Sequence, residues 1–249
     1  MSASKPYSFS EFFNTLQQVS ALQELNDAIS SQTVSGITSD SRKVKPGFVF
    51  VALIGTQTDG HQYLEKAVQS GASALVIDAQ RAKTLQLPKD VAIYTTTNTY
   101  LALGEMASQF YETAHKPTLI GVTGTNGKTT VTHLIEQMLA DSGQSVGLIG
   151  TLGQRHVQNN TAAEKASDDA KSYESTGHTT PMALELHHII HDMSQEKTEY
   201  VVLEVSSHAL EQHRVYGCDF ALAVHTNVTQ DHLDYHKTME NYGKAKALL

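Results

Sequence analysis

The decamer GVTGTNGKTT, Gly121 to Thr130, closes an apolar run, LIGVT, that ends at Thr123. It opens a segment whose apolar residues Val131, Leu134, Ile135, Met138 and Leu139 fall at i, i+3, i+4, i+7 and i+8. The run reads as a β-strand and the periodic segment as an amphipathic helix stopping at Gly143. A glycine-rich turn between a strand and a helix brings backbone N–H groups up to a polyphosphate, and the helix N-terminus adds a favourable dipole. Gly124, Thr125, Asn126, Gly127, Lys128, Thr129 and Thr130 are therefore predicted to cradle a nucleoside triphosphate, with ATP expected. Lys128 would reach the β- and γ-phosphates, and Thr129 would offer its hydroxyl to Mg²⁺. The common pattern G-x-x-x-x-G-K-[ST] requires glycine at position 122, where this chain has Val122. The glycines that fit are Gly124 and Gly127.

Downstream come the strand SVGLIGT, a helix from Pro181, the run YVVLEV at Tyr200 to Val205, a short helix near His208, the strand FALAVHTN and a last helix from Met239. Near-continuous apolar strands alternating with helices predict a parallel sheet covered on both faces, a doubly wound nucleotide-binding domain. Upstream, Ser8 and Glu11 form an S-x-x-E capping box for a helix through Phe12, Phe13 and Leu16. The strands FVFVAL, ALVID and VAIYTT, with helices at His61 to Ser70 and Thr99 to Glu112, then make a smaller α/β unit. Pro117 disfavours helix at the residue before it, so the boundary is placed near 115, giving domains 1–115 and 116–249. The polar stretch Gln154 to His178 is too long for an ordinary connection and reads as a mobile surface insertion.

A chain of 249 residues suggests two domains. With 40% hydrophobic and 18% charged residues it has material for real cores. A formal net charge of −8 argues against sequence-independent nucleic-acid binding. Cys218 is the only cysteine, which excludes an intramolecular disulfide and any multi-cysteine zinc site. No signal peptide and no membrane span is read, so a cytoplasmic location is expected.

Glu204 ends an apolar run at the predicted carboxyl edge of the sheet, beside the phosphate loop. A charge there is costly unless compensated, and Mg²⁺ is the expected compensation. His232, in the loop after FALAVHTN, is a candidate second metal ligand. His187, His188 and His191 imitate a metal-binding helix but are expected on a solvated face, opposite Met182, Leu186, Ile189, Ile190 and Met193. Cys218 is expected to be a structural or surface thiol.

Together these motifs resemble the Mur ligases, ATP-dependent enzymes that add amino acids to the UDP-linked precursor of peptidoglycan. TGTNGKTT is that family's variant of the phosphate loop. Within the family the resemblance is to the MurE type, through HTTP at His178 to Pro181, EVSSHALEQHR at Glu204 to Arg214 and TNVTQDHLDYHKTMENYGKAKALL at Thr226 to Leu249. SDSRKVKPGFVFVALIGTQTDGH extends it into the N-terminal domain.

The resemblance implies an amide ligase that adds the third stem-peptide residue, a diamino acid, to UDP-N-acetylmuramoyl-L-alanyl-D-glutamate through an acyl phosphate. Lys128, Glu204, His232 and Lys246 would be catalytic. Two Mg²⁺ ions would be held by Thr129, Glu204, His232 and Lys246, the last carrying a CO₂-derived carbamate. The uridine diphosphate would lie near Ser39, Ser41, Thr56, Gln57 and Thr58, with Thr56 standing where relatives often have histidine. The muramoyl peptide would meet Thr179, Thr180, Ser206, Gln212 and Arg214.

Family members continue beyond the position of Leu249 into a third, amino-acid-binding domain. The resemblance thus implies a fragment that binds ligands weakly and does not turn over, and a monomer that needs neither membrane nor nucleic acid. The alternatives are a MurF-type ligase, a folylpolyglutamate synthetase, or a non-catalytic nucleotide-binding module.

Overall fold

The computed structural model describes residues 7–16, 22–24, 33–55, 58–157 and 173–249. The chain divides into two compact units, Met1–Glu112 and Thr113–Leu249. Both are α/β.

In the first unit β1 (Tyr7–Ser8) runs directly into α1 (Phe9–Leu16), and β2 (Gln23–Glu24), β3 (Thr33–Val34), β4 (Gly36–Thr38) and β5 (Phe48–Val51) follow. A 3₁₀ turn (Gly60–Tyr63) leads into α2 (Leu64–Gln69), then β6 (Ala72–Asp78), α3 (Ala79–Ala82), β7 (Ala92–Thr96) and α4 (Thr99–Phe110). The sheet order is β2-β7-β6-β5-β4, parallel except for the edge strand β2. The capping box forms: Ser8 Oγ and the Ser8 amide both donate to Glu11 Oε2, at 2.7 and 3.2 Å. Residues on alternate sides of each strand bury two cores. Phe50, Leu75, Ile77 and Ile93 meet Leu64 and Ala67 of α2. Tyr94 stacks on Phe13, and Phe12 packs edge-on against Phe110.

The second unit contains β8 (Thr118–Thr123), α5 (Lys128–Asp141), β9 (Val146–Gly150), β10 (Gly153–Val157), α6 (Ala183–Gln195), β11 (Tyr200–Glu204), α7 (Ser207–Glu211), β12 (Phe220–His225), α8 (Leu233–His236) and α9 (Met239–Lys246). Its sheet order is β10-β9-β11-β8-β12, parallel except for β10, which runs antiparallel to β9. Leu119, Ile149, Val201 and Leu203 pack on Leu186, Ile189 and Met193 of α6. On the other face Val122, Val146, Leu148 and Val202 meet Val131, Ile135 and Leu139 of α5. One helix on each face is the doubly wound arrangement expected from the continuous apolar runs.

Three expectations need correction. The first concerns α5, where Leu134 and Met138 are 59% and 71% exposed, while Glu136 is buried. The buried stripe is rotated toward β10 because Arg155 forms a two-pronged ion pair with Glu136, which makes burial of that carboxylate tolerable.

The second concerns the polar stretch, which begins as strand rather than as insertion. Gln154, Arg155 and His156 lie in β10, each with its polar head engaged, by Glu174, Glu136 and Glu196 respectively. The far end is pinned as well, since Gln154 and Glu174 exchange backbone hydrogen bonds. Residues 158–172 lie outside the described residues.

The third concerns α6, where His187 and His191 are buried and not on a solvated face. The chain around Tyr216 covers that flank, and its carbonyl accepts a hydrogen bond from His187 Nε2 at 2.8 Å. Burial pulls the His187 pKa down to about 4, so the ring is neutral. His188 remains at the surface, paired with Asp192 at 2.8 Å. Cys218 is half-buried and packs on the α6 core, and burial pushes its thiol up to about 12.

Candidate active site at the carboxyl edge of the second sheet

The strands β8, β9, β11 and β12 end at one edge, and the residues that follow them converge there. Val122 is fully buried inside β8, in register with Glu204 and Val224. The loop therefore starts only after Thr123, which is why its first glycine stands at 124. Gly124 has φ +149°, and a Cβ there would lie 1.9 Å from Thr226 Oγ1. Gly127 has φ +85° and is the N-cap of α5. Both positions require glycine, one for close approach and one for backbone conformation.

The end of β12 braces the loop. The Thr125 amide donates to the Asn227 carbonyl at 2.8 Å, and the Asn126 amide to Asn227 Oδ1 at 3.1 Å. Thr226 Oγ1 donates to the Asn126 carbonyl at 2.7 Å. The first amides of α5 are left as the orphaned donors that every helix N-terminus carries. Lys128 folds over the loop, with Nζ donating to the carbonyls of Gly124 and Thr125 at 2.8 and 3.0 Å. Burial lowers its pKa, against the opposing charges of Glu204 and Asp231.

Glu204 is 1% exposed and fully engaged. Thr129 Oγ1 lies 3.0 Å from both of its oxygens. The Thr151 amide donates to Oε1 and the Thr151 hydroxyl to Oε2, each at 3.0 Å. Thr129 and Glu204 thus present hard oxygen donors side by side, the donor chemistry that suits Mg²⁺.

Lys246 is also buried, 3% exposed, and donates to the Gly124 carbonyl at 2.9 Å while sitting 4.6 Å above the Tyr242 ring. Burial, reinforced by Lys128, lowers its pKa to about 8. His232 adopts φ +51° and packs against the other side of this group, 6.2 Å from the Tyr242 ring and 4.8 Å from His208. Among the described residues no three His, Cys, Asp or Glu side chains form a ready metal cluster. Any cation here would rest on the mixed hydroxyl and carboxylate set, with Lys246 contributing only if carbamylated.

Thr179, Thr180, Ser206, Gln212 and Arg214 fall into one network that leads away from Glu204. Thr180 Oγ1 donates to the Glu204 carbonyl at 2.9 Å and accepts from the Ser206 amide at 3.0 Å. Arg214 grips Gln212 Oε1 through Nε and Nη2 at 3.0 and 2.7 Å and the Thr180 carbonyl through Nη1 at 2.9 Å. Gln212 Nε2 reaches the Tyr235 hydroxyl at 3.3 Å.

In the first unit, Ser39, Ser41 and Thr58 line a cavity of about 610 Å³ together with Asp40, Arg42, Tyr63, Lys66 and Tyr100. Arg42 forks onto Asp40 and holds its carboxyl down at about 2. Thr56 and Gln57 lie outside the described residues.

Sequence reasoning missed Thr151, Asn227, Tyr242, His208 and His236. Thr151 carried a usable signal, since it directly follows a parallel strand. Tyr242, whose hydroxyl lies 3.1 Å from Thr125 Oγ1, carried none. His236, 1% exposed at its side chain, sits 2.9 Å from Ser207 Oγ and 3.0 Å from Glu211.

No helix among the described residues is long and apolar enough to cross a membrane. The family model "Mur ligase middle domain" matches residues 122–249, and "Mur ligase family, catalytic domain" matches 33–111. A protein named UDP-N-acetylmuramoyl-L-alanyl-D-glutamate–2,6-diaminopimelate ligase, from Geobacillus thermodenitrificans, is 44% identical over 217 residues, covering 87% of this chain and 40% of that protein. A solved structure of a ligase of the same name superposes with a TM-score of 0.74 at 31% identity, over 98% of this chain and 45% of that one. A MurF ligase from Thermotoga maritima, solved in complex with ADP, has a TM-score of 0.52 at 22% identity over 86% of this chain and 42% of that one, which shows a shared fold. The chain thus spans less than half the length of these proteins. With the phosphate loop, the buried carboxylate and both family models in agreement, the chain belongs to the Mur ligase family.

Proposed function

We propose that this chain carries the UDP-sugar-binding domain, residues 1–115, and an incomplete ATP-binding central domain, residues 116–249, of a MurE-type ligase. Its relatives' names support diaminopimelate as the added amino acid and UDP-N-acetylmuramoyl-L-alanyl-D-glutamate as its acceptor. The observation that carries the reading is the half-buried Thr129 hydroxyl set on the buried Glu204 carboxylate, directly behind a loop on which two lysines converge.

In this reading Gly124 to Thr130 bind the triphosphate, and Lys128 leaves the loop carbonyls to clamp its outer phosphates. Thr129 and Glu204 would hold one Mg²⁺, and His232 with carbamylated Lys246 a second. Bound Mg²⁺ supplies charge neutralisation at the transferring phosphoryl group, the main need in phosphoryl transfer. Lys246 suits carbamylation because its lowered pKa raises the share of free amine, which forms an N–C bond with CO₂ and gives up a proton. Arg214, Thr180 and Ser206 would orient the acceptor carboxylate, bidentately in the case of Arg214. An oxygen of that carboxylate takes the γ-phosphoryl group as its bond to ADP breaks. The amine then attacks the acyl carbon and expels phosphate, forming the amide. The enzyme would act in the cytoplasm as a monomer.

The test is phosphate release by the full-length protein with ATP, Mg²⁺, UDP-muramoyl dipeptide and meso-diaminopimelate. Equal turnover with lysine would broaden the amino acid. A requirement for UDP-muramoyl tripeptide and a dipeptide amine would replace the MurE reading by a MurF one.

A further inference from the structure

Glu204 projects from the last residue of β11, where nothing in its own strand can hold it. It is held by Thr129 of α5 and, from the neighbouring strand β9, by the turn that ends that strand. Gly150 and Gly153 face each other across the β9–β10 pair, so only Thr151 and Leu152 form the hairpin loop. Neither has positive φ, and Gly153 takes φ +121° to complete the turn. In so tight a hairpin the first loop residue has no ladder partner for its amide. The Thr151 amide points at Glu204 Oε1 instead, and the hydroxyl of the same residue reaches Oε2. One residue thereby grips both carboxylate oxygens from backbone and side chain at once.

Gly150 makes room for this grip. A Cβ at that position would lie 2.3 Å from Glu204 Oε1. Thr151 also faces the opposite way, since its Oγ1 is 3.1 Å from Thr179 Oγ1, on the side of the hydroxyl network around Thr180 and Ser206. The hydroxyl carries one proton, and both Glu204 Oε2 and Thr179 Oγ1 stand within reach as its acceptors, so the carboxylate and Thr179 share one donor. The Thr151 side chain thus lies within hydrogen-bond distance of both groups.

Resting on the ligase reading above, we infer that Thr151 is a positioning residue that aims the Glu204 carboxylate at a divalent cation and ties that aim to Thr179 on the acceptor side. Partners of metal ligands typically govern 10- to 100-fold of metal affinity, because they fix the ligand's rotamer and charge direction.

Calorimetric titration of the 249-residue chain with ADP, in Mg²⁺ and in EDTA, isolates this role from turnover. The tightening caused by Mg²⁺ should shrink roughly tenfold in Thr151→Val, which keeps the shape and loses the hydroxyl. It should return in Thr151→Ser and vanish in Glu204→Gln. Melting temperatures of all variants show whether they are folded. Thr151→Val binding MgADP like the parent while Glu204→Gln loses the Mg²⁺ effect overturns the positioning role and leaves the ligase reading intact. So does Thr151→Ser staying as weak as a folded Thr151→Val. If Glu204→Gln keeps the full Mg²⁺ effect, or the parent chain binds no ADP, the ligase reading itself fails.

Discussion

Lys128 and Lys246 donate to one and the same acceptor, the carbonyl oxygen of Gly124, at 2.8 and 2.9 Å. Burial lowers the pKa of both ammonium groups, and the charge of Lys128 lowers that of Lys246 further. An anion at the loop would relieve both. On the proposed ligase reading that anion is a polyphosphate, and the two lysines have roles that can be separated experimentally.

Lys128→Ala in the full-length protein should lower turnover by roughly 10³-fold, the range for loss of an electrostatic clamp on transferring charge. Phosphate release at saturating acceptor measures it. Near-normal turnover would sink the assignment of the loop.

Lys246→Ala should cost roughly 10²-fold, in keeping with loss of one metal-holding group. Unlike Lys128→Ala, it should recover part of the loss on adding formate or acetate, which replace a carbamate. A fully active variant would remove Lys246 from the chemistry.

The second unit should weaken in mild acid through His187. Its folded pKa of about 4 lies below the 6.5 of the unfolded chain, so the unfolded state binds the proton first. This contribution is intact above pH 6.5, falls away as the pH drops toward 4, and amounts to about 3 kcal/mol. Urea unfolding at pH 7 and pH 4.5 tests it. His187→Gln, which keeps an N–H for the Tyr216 carbonyl, should flatten the difference, and an unchanged slope would argue against the buried neutral ring.

Arg155→Ala should destabilise the second unit by roughly 3–5 kcal/mol, because Glu136 would stay buried with its charge uncompensated. A double change to Arg155→Met and Glu136→Leu should recover most of the loss in urea denaturation. A single variant as stable as the parent would mean that the pair is solvated in solution.

The sequence by itself determined the elements. Continuous apolar runs and the 3.6-residue period located the parallel strands and the helices between them, since those patterns report which faces must leave water. The glycine spacing of TGTNGKTT located the loop, because only glycine tolerates φ +149° against Thr226 and φ +85° at the helix cap. Tertiary structure alone decided everything that depends on a partner distant in the chain. The stripe α5 buries follows from Arg155 reaching Glu136, the buried α6 histidines follow from the chain around Tyr216, and Glu204 is held between Thr129 and Thr151. These choices are made by hydrogen bonds and ion pairs between strands that pack as neighbours, and no periodicity along the chain encodes which strands those will be.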